Sequence, residues 1–430
     1  MSTPVKRVAF HTLGCKLNFS EMSTISRDCA FNGFETVNFK EIADFYVINT
    51  CSVTENANKE ARKLIRQAKL KNPDSSIAII GCYAQLKPKE LAAIDGVDIV
   101  LGADAKFNIL QYLDKKKLKH TPDIIRSGIE NVNLFKPSFS IEERTRSYLK
   151  VQDGCDYTCS FCTIPLARGK SRSATIEDTV KIAKKIIDSG KKEIVITGVN
   201  VGDFGKGTKE SFFDLIYQLD MINNIKRIRI SSIEPNLLTD EIIRFCYNSN
   251  KFVPHFHIPL QSGSDKILRS MQRRYTSKFY KSRIEKIKSL NSDTCIGVDV
   301  IVGFPGESDK DFYDTYEFIS HLDISYLHVF SYSERSNTSA IKLANKIPTE
   351  VINQRSKLLR RLSNNKRNIF YDQFLNTKRE VLFENIKDGK LIGYTDNYIK
   401  VQIDAEKDLV NTISSVNLSD NQGDFVYGRL

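Results

Sequence analysis

Short apolar stretches alternate with longer amphipathic segments along the first 110 residues of the chain. The stretches VKRVAF, DFYVINT, SSIAIIG and GVDIVLG have the length and apolar content of strands, whereas SEMSTISRDCAFNGF and ENANKEARKLIRQAKLKN have the spacing of helices. The first of these helices is expected to begin at Ser20 and to end at Gly33. Apolar strands separated by helices are typical of a parallel sheet covered on both faces, so residues 1–115 are predicted to form an α/β domain.

The same alternation resumes near residue 148, after a less regular stretch that is predicted to be a linker over residues 116–146. Six strand candidates follow, most of them separated by helix-like segments: YLKVQ, EIVITG, RIRISS, HFHIPL, IGVDVIVG and YLHVFS. Six strand–helix units are too few for the usual eight-unit barrel. Residues 147–370 are therefore predicted to form an open, partial (βα)6 barrel.

The last part of the chain changes pattern once more. TEVINQRSKLLRRLSNNKRNIFYDQFL is typical of a helix with a basic face. After it come short alternating stretches, REVLFENI, LIGYT, YIKVQI and DFVYGRL, which predict a small all-β module over residues 371–430.

Composition narrows the class of protein. No apolar run reaches about 18 residues, so no membrane span is expected, and the N-terminus has no apolar signal core. We therefore expect a cytoplasmic location. The net charge of +12 is consistent with a polyanionic partner such as RNA. Nine irregularly spaced cysteines argue against a disulfide framework and for thiols that stay reduced unless a metal binds them.

Three of the cysteines lie close together in QDGCDYTCSFCTIP, directly after the strand candidate YLKVQ. Cys155, Cys159 and Cys162 have the spacing C-x3-C-x2-C, which a chain with nine cysteines would show about 0.004 times by chance. Structural zinc and ordinary iron–sulfur sites usually have four protein ligands. Three thiolates on a four-iron cluster would leave one iron open for a ligand, while zinc with a distant fourth ligand remains an alternative.

Three further cysteines each follow a predicted strand of the N-terminal domain. Cys15 lies in TLGCKLN, Cys51 in NTCSVTENA and Cys82 in GCYAQ. Because the carboxyl ends of parallel strands share one edge of the sheet, these three thiols are expected to converge on one crevice. The alternative is three unrelated buried cysteines.

The C-x3-C-x2-C motif before a partial barrel resembles the radical S-adenosylmethionine enzymes. Together with TLGCKLN, INTCSVTENA, IIGCYAQ and DGCDYTCSFCTIPLARGKSRS, it resembles the radical methylthiotransferases over essentially the whole chain. The resemblance implies a flavodoxin-like N-terminal domain, a radical S-adenosylmethionine partial barrel and a C-terminal β-barrel of the TRAM type, which binds RNA. It also implies two [4Fe–4S] clusters, one on Cys155, Cys159 and Cys162 with S-adenosylmethionine on its open iron, the other on Cys15, Cys51 and Cys82.

The chemistry implied by the family replaces an unactivated C–H bond with C–SCH3. The C2–H of an adenine is not acidic enough for a side-chain base, so general acid–base catalysis does not reach it, and a cofactor must supply the hard step. In the family, a 5′-deoxyadenosyl radical abstracts the hydrogen, and a methylthio group passes from the second cluster to the carbon.

The resemblance also implies residues that contact S-adenosylmethionine. Phe161 matches the aromatic neighbour of the adenine, and the other candidates lie at barrel strand ends: Gly198, Val199 and Asn200 in TGVNVGDFG, Ser231 and Glu234 in SSIEP, and Gln261 in HIPLQSGSD. A plain tight turn is the alternative for TGVNVGDFG, and buried pairing is the alternative for the nearby His257.

The substrate is predicted from motif details. Three branches of the family modify isopentenyladenosine in tRNA, threonylcarbamoyladenosine in tRNA, or an aspartate of a ribosomal protein. TLGCKLN resembles the threonylcarbamoyladenosine branch, because the other two usually have Gln or Pro after the cysteine. The predicted target is therefore adenosine 37 of tRNA, with the other two branches as alternatives.

A basic surface for tRNA is expected outside the C-terminal module, which has about seven Lys/Arg against ten Asp/Glu from Asp372 onward. The segments KKKLKH and QRSKLLRRLSNNKR are predicted to hold the RNA, with Arg360, Arg361 and Arg367 as contacts. Arg168 and Arg172, just after the cluster loop, are expected to pair with a carboxylate or a phosphate, or to remain exposed.

Further partners follow from the same resemblance. It implies an electron donor of the flavodoxin or ferredoxin type, and nothing in the sequence demands more than a monomer. A non-catalytic iron–sulfur or zinc protein that binds RNA is the alternative from another class. The absence of a compact ferredoxin cysteine run weighs against a simple electron carrier.

Overall fold

The computed structural model describes residues 5–51, 55–113, 121–141, 145–404 and 409–430, without the side chains of residues 55–58. The chain divides into two compact units. Unit 1 comprises Met1–Ser140, Gln152–Tyr157 and Thr163–Ser173, and unit 2 comprises Ile141–Val151, Thr158–Cys162 and Ala174–Leu430. Along the described residues, no helix has both the length and the apolar character needed to cross a bilayer.

Unit 1 is built on a parallel sheet that has six strands among the described residues. They are β1 (Arg7–Thr12), β2 (Glu35–Val37), β3 (Phe45–Thr50), β4 (Ser76–Gly81), β5 (Ile99–Leu101) and β6 (Asp123–Ile125), in the order β2-β1-β3-β4-β5-β6. The predicted parallel sheet is confirmed. β2 and β6 were not predicted, and β6 falls within the expected linker. Both are three-residue edge strands with partly exposed side chains, so neither has the apolar run that marks a buried strand.

Helices cover both faces of this sheet, as the apolar strands require. They are α1 (Lys16–Phe31), α2 (Glu55–Lys71), α3 (Cys82–Leu86), α4 (Pro88–Ala92) and α5 (Leu110–Leu113). Alternate side chains of β3 pack on opposite faces of the sheet. Val47 packs with α1 and α5, and Ile48 packs with α2. α1 begins directly after Cys15 and not at Ser20, whose buried hydroxyl instead donates to the carbonyl of Leu17 at 2.9 Å.

Short elements connect the N-terminal sheet to the second half of the chain. They are β7 (Ser138–Phe139), β8 (Arg146–Lys150), β9 (Gln152–Asp153), α6 (Ile164–Arg168) and β10 (Arg172–Ser173). β9 and β10 pair antiparallel within unit 1. They bracket the C-x3-C-x2-C loop, of which Cys155 belongs to unit 1 and Cys159 and Cys162 to unit 2.

Unit 2 contains a run of parallel strands that alternate with helices. After β8 the strands are β11 (Glu193–Thr197), β12 (Arg227–Ile230), β13 (His255–His257), β14 (Cys295–Val302) and β15 (Tyr326–Ser331). The helices are α7 (Ile176–Asp188), α8 (Phe212–Asp220), α9 (Asp240–Asn248), α10 (Asp265–Ser270), α11 (Ser277–Leu290), α12 (Asp309–His321) and α13 (Thr349–Asp372).

These strands form the predicted partial barrel. They run β8-β11-β12 and β13-β14-β15, and the bridges Ile228–Phe252 and Ser232–His257 join the two groups. All six strand candidates are strands in the structure, so the (βα)6 prediction is confirmed.

The C-terminal module of unit 2 is a closed barrel, with five strands in the described part of the chain. They are β16 (Lys378–Lys387), β17 (Lys390–Thr395), β18 (Lys400–Asp404), β19 (Ile413–Asn421) and β20 (Val426–Arg429), in the order β16-β17-β18-β20-β19. The predicted small barrel is confirmed, although α13 extends to Asp372 and the barrel begins only at Lys378. β19 was not predicted, because ISSVNLSDN carries only three apolar residues.

This small barrel packs against the amino ends of the strands of the partial barrel. Arg227 donates to the carbonyls of Tyr394 and Glu380 at 3.2 and 2.7 Å, and Arg146 pairs with Glu384. Glu384, one of the acidic residues of the C-terminal module, is thus neutralised by an arginine of the same unit. The carboxyl ends of the same strands, where the predicted ligands lie, stay on the opposite side.

Candidate active site with two sets of three cysteines

Cys15, Cys51 and Cys82, here called the auxiliary cysteines, follow three neighbouring strands of the unit 1 sheet. In the register of that sheet Thr12 pairs with Asn49, and Thr50 pairs with Gly81. Cys51 and Cys82 come directly after β3 and β4, and Cys15 comes three residues after β1. Cys15 is exposed, Cys51 is half-buried and Cys82 is buried. The predicted convergence on one edge of the sheet is therefore present in the fold.

Two glycines let the backbone turn at these strand ends. Gly14 has φ +101°, and a Cβ placed on it would lie 2.7 Å from Cβ and 3.0 Å from Sγ of Cys51. Gly81 has φ +100°, and its Cβ would lie 2.4 Å from the Asn49 side chain. A residue with a side chain would be strained at either place, so each glycine fixes the position of a neighbouring cysteine.

Two asparagines hold the strand ends together. Asn18 Nδ2 donates to the carbonyls of Leu13 at 3.0 Å and of Thr50 at 3.2 Å, next to Cys15 and Cys51. Asn49 Nδ2 donates in turn to the Asn18 carbonyl at 2.9 Å. Both asparagines are fully buried, so the edge that carries the cysteines is preorganised.

The donor set at this edge of the sheet suits an iron–sulfur cluster. The three cysteines follow adjacent strands, and cysteine thiolates are the usual ligands of such clusters. Structural zinc usually takes four protein ligands, so three thiols fit a group with one open position better than they fit structural zinc.

Buried positive charges lie near Cys82. Burial raises the pKa of the Cys82 thiol, and the opposing charges of Arg168 and Lys106 lower it in part. Both cations pair with Glu21, Arg168 at 3.0 Å and Lys106 at 2.5 Å. Sequence reasoning missed Glu21 and Lys106, because a charged residue within an ordinary helical pattern looks like an exposed one.

The first cysteine of the C-x3-C-x2-C loop is fixed by backbone contacts within unit 1. Cys155 N–H donates to the carbonyl of Gly169 at 3.0 Å, and the N–H of Tyr157 donates to Cys155 Sγ at 3.4 Å. Gly154 has φ +70°, and a Cβ there would lie 2.0 Å from the Lys170 carbonyl. The Gly-Cys dipeptide of the motif is therefore required by the tight return of the chain after α6.

In unit 2, Arg273 is bonded to the second cysteine. Its Nη1 donates to Cys159 Sγ at 3.1 Å, and its Nη2 pairs with Glu234. Burial raises the pKa of the Cys159 thiol, which Arg273 partly opposes. Arg273 was missed from the sequence, where QRRYTS resembles a solvated turn. Glu234, predicted to contact S-adenosylmethionine, is placed beside the loop through this arginine.

Phe161 lies on an apolar surface of unit 2. Its ring contacts Phe304 at a centroid distance of 6.5 Å, near Met271 and Ile301. The adjacent Ser160 donates its N–H to the carbonyl of Met271 at 3.1 Å. An aromatic side chain held in this way presents an apolar platform beside the cysteine loop, as an adenine would require.

The other predicted cofactor contacts lie just past the strand ends of the partial barrel. Gly198, Val199 and Asn200 follow β11, and Asn200 donates to Asp203 at 3.0 Å. Ser231 follows β12, and its hydroxyl is buried with no hydrogen-bond partner among the described residues. Gln261 follows β13 with φ +71°. These positions are compatible with the predicted ligand, and their roles stay predictions.

A polar group lies on β13, β14 and β15. His257 Nε2 contacts Asp299 Oδ1 at 2.8 Å, and Asp299 is the register partner of His328. The buried pairing considered for His257 is confirmed. One ring nitrogen or carboxylate oxygen from each of the three residues lies within 4.8 Å of the other two.

The predicted RNA contacts fall into two classes. Arg168 is buried among carboxylates, and Arg172, which is half-buried, donates to Asp153 at 3.1 Å and to backbone carbonyls, so both have carboxylate partners. Arg360 and Arg361 are exposed on α13, and Arg367 pairs with Asp424 at 2.7 Å. The segment KKKLKH, residues 115–120, lies outside the described residues.

Both sets of cysteines lie in regions that match known protein families. Residues 149–319 match the radical S-adenosylmethionine superfamily, and residues 7–102 match an uncharacterized protein family, UPF0004. The chain is 40% identical to the threonylcarbamoyladenosine tRNA methylthiotransferase MtaB of Bacillus subtilis, over 97% of this chain and 96% of the relative. It belongs to the tRNA methylthiotransferase family.

Two further matches have lower identity to this chain. The tRNA-2-methylthio-N(6)-dimethylallyladenosine synthase of Endomicrobium trichonymphae is 30% identical, over 97% of this chain and 98% of the relative. Among solved structures, the radical S-adenosylmethionine methyltransferase TsrM from Kitasatospora setae matches with a TM-score of 0.56 and 12% identity, over 78% of this chain and 74% of that one. At that identity, the TsrM match shows the shared fold alone.

Proposed function

We propose that this methylthiotransferase converts N6-threonylcarbamoyladenosine at position 37 of tRNA to its 2-methylthio derivative by a radical S-adenosylmethionine mechanism. The observation that carries the proposal is that a chain 40% identical to MtaB contains two sets of three cysteines. One set lies in a C-x3-C-x2-C loop after the first barrel strand. The other lies on three adjacent strand ends of a parallel sheet.

The cofactors are two [4Fe–4S] clusters and S-adenosylmethionine. Cys155, Cys159 and Cys162 would hold the cluster that binds S-adenosylmethionine, and the auxiliary cysteines would hold the second. When bound, these groups supply the adenosyl radical and the methylthio group, which no side chain can provide. Since each set offers three thiolates, one iron of each cluster would have no cysteine ligand and could take another ligand.

The role of the chain's own residues is to hold these groups in place. Arg273 donates to Cys159 and is itself fixed by Glu234, so it supports the loop and stabilises negative charge on the sulfur. Phe161 offers an apolar face for the adenine of the cofactor. The buried Ser231 hydroxyl offers a hydrogen-bond partner at the end of β12.

The choice of substrate rests on sequence similarity. Identity to the MtaB relative is 40%, against 30% to the dimethylallyladenosine synthase, with equal coverage of this chain. The motif TLGCKLN, with Lys16 after the first cysteine, points the same way. The dimethylallyl nucleoside is the second candidate.

The test is mass spectrometry of nucleosides from bulk tRNA in a bacterial strain deleted for its own enzyme of this branch. Expression of this chain should restore 2-methylthio-threonylcarbamoyladenosine and leave the dimethylallyl nucleoside unchanged. The matched control is the chain carrying Cys159→Ala. Methylthiolation of only the dimethylallyl nucleoside would contradict the proposed substrate, and no methylthiolation of either would contradict the function.

We further propose that the exposed face of α13 binds the tRNA. Arg360 and Arg361 are exposed there and can reach phosphates, whereas the buried arginines of unit 1 cannot. The double change Arg360→Glu and Arg361→Glu should weaken tRNA binding about tenfold or more, and should lower the slope of log K against log salt by about 1 to 2.

The control for this prediction reverses two exposed lysines of α7, Lys184 and Lys185. It makes the same change in net charge on a different face of unit 2. Binding measured by fluorescence anisotropy at several salt concentrations should change much less than with the α13 variant. Equal losses for both variants would indicate a general charge effect and would contradict a specific site on α13.

The remaining partners are proposals of the same kind. Reduction of the clusters requires a one-electron donor, and we propose a flavodoxin or a ferredoxin. We also propose a monomer in the cytoplasm, where tRNA is used and where cysteines that hold iron remain reduced.

A further inference from the structure

Arg168 connects the auxiliary cysteines to the start of the C-x3-C-x2-C loop within unit 1. Its Nη2 donates to Asn18 Oδ1 at 2.6 Å, and Asn18 braces the strand ends next to Cys15 and Cys51. Its Nη1 donates to Asp153 Oδ1 at 2.9 Å. The same Asp153 oxygen accepts from the N–H of Gly154 at 2.9 Å, one residue before Cys155.

A second set of bonds binds α6 to the same loop. The Gly169 carbonyl, directly after Arg168, accepts from the N–H of Cys155 at 3.0 Å. Arg172 Nη1 donates to the Arg168 carbonyl at 2.6 Å, and its Nη2 donates to Asp153 at 3.1 Å. A movement of Arg168 would therefore reach both the auxiliary strand ends and Cys155.

The charges in this group are almost completely buried. The side chains of Arg168, Glu21, Lys106 and Asp153 are all 5% exposed or less. Burying ion pairs is costly, and apolar residues of similar volume often give equal or greater stability. Stability alone therefore does not account for a charged group in this place.

The charges of this group bear on a bound cluster. Arg168 and Lys106 both pair with Glu21, and Arg168 and Arg172 both pair with Asp153. The charge of a metal group must be included in the electrostatics of its site. A four-iron core with two positive charges and three thiolate ligands would carry one negative charge, which nearby cations would stabilise.

We propose that Arg168 is a positioning residue that connects the strand ends of the auxiliary cysteines to Cys155, and that the Arg168–Glu21–Lys106 group sets the reduction potential of the auxiliary cluster. The inference rests on the proposed function for the presence of the auxiliary cluster. Positive charge close to an iron–sulfur cluster favours its reduced, more negative form and so raises its potential.

The test is a redox titration, followed by electron paramagnetic resonance, of the full-length chain with both clusters reconstituted. The auxiliary signal is the one that added S-adenosylmethionine leaves unchanged. R168Q and K106M each remove a positive charge and should shift the auxiliary potential to a more negative value. E21Q removes a negative charge and should shift it to a more positive value.

The opposite directions of the expected potential shifts, negative for K106M and positive for E21Q, distinguish an electrostatic role from a structural one. Loosening of the fold would move all three variants in one direction or in none, and that result would overturn the electrostatic half of the proposal. K170Q is the control, since Lys170 is an exposed cation two residues from Arg168, and it should leave the potential unchanged. If R168Q fails to fold, K106M and E21Q still decide the sign.

The positioning half is tested by coupling, measured as 5′-deoxyadenosine formed per methylthiolated nucleoside. R168K keeps the charge, but a lysine cannot bridge Asn18 and Asp153 as a guanidinium does. The ratio should rise at least about threefold with R168K, because a small displacement of a reacting group is costly, and it should stay unchanged with the control K170Q. A wild-type ratio in R168K would overturn the positioning role.

Different results would contradict the proposed function and the role of the Arg168 group. A wild-type chain that holds both clusters but modifies no tRNA would contradict the proposed function, and the potentials of K106M and E21Q would still test whether these charges affect the auxiliary cluster. A functional enzyme whose potential ignores all three charges would contradict only the present inference.

Discussion

A chain in which Cys15, Cys51 and Cys82 are all replaced by alanine is expected to cleave S-adenosylmethionine and to form no methylthiolated nucleoside. The three thiols follow neighbouring strands of one sheet, and unit 1 offers no other set of three close cysteines among its described residues. After anaerobic reconstitution this variant should hold about four irons, where the wild type holds about eight. Iron and sulfide analysis, with chromatography of 5′-deoxyadenosine and the nucleosides, checks the expectation.

The matched control is Cys29→Ala. Cys29 is also a buried cysteine of unit 1, but it lies in α1 within the apolar core. Its replacement should keep about eight irons and normal product formation. If the triple variant also kept about eight irons, or if it still methylthiolated tRNA, the auxiliary cysteines would not be the ligands of a second cluster.

Arg229→Ala is expected to destabilise unit 2 by about 3 kcal/mol. Arg229 Nε donates to Glu193 Oε1 at 2.7 Å, and the two side chains are 2% and 1% exposed. Burial alone would raise the pKa of Glu193, but Arg229, and to a lesser extent Arg146 and Arg227 on the neighbouring strands, lower it below its ordinary value. Removing Arg229 leaves a buried carboxylate with weaker compensation, which is why the loss is large.

Scanning calorimetry of the full chain should show this loss as a fall in Tm of roughly 5 to 10 °C. Lys226→Ala, which removes an exposed cation one residue before β12, should leave the Tm almost unchanged. The double variant with Arg229→Met and Glu193→Leu should recover much of the stability, since it removes both charges. A double variant as unstable as Arg229→Ala alone would contradict the assignment of the loss to an unpaired charge.

The pH dependence of this ion pair follows from the lowered pKa of Glu193. A carboxyl group with a lower pKa in the folded state binds fewer protons there than in the unfolded chain near pH 4. Its contribution to stability is therefore complete above about pH 4.5 and is lost as the pH falls through the folded pKa. In Arg229→Ala, the free energy of unfolding should therefore fall less between about pH 4.5 and lower pH than it does in the wild type.

The architecture and the two cysteine sets could be predicted from the sequence. Apolar strands separated by helices are a strong local pattern, so the parallel sheet of unit 1 and the partial barrel of unit 2 could be predicted. The placement of Cys15, Cys51 and Cys82 followed from one rule, that parallel strands end at a shared edge. The weak edge strands β2 and β6 and the polar strand β19 escaped prediction, because their pairing is decided by neighbours distant in sequence.

The partners of the charged residues could be identified only in the folded chain. Arg168 and Arg360 look alike in the sequence, but one is buried against Glu21 and Asp153 and the other is exposed on α13. Arg273 likewise shows its contact with Cys159 only in the folded chain, across 114 residues of sequence. Local patterns specify which backbone conformation a segment adopts, whereas the pairing of charges depends on which distant segments the packed core brings together.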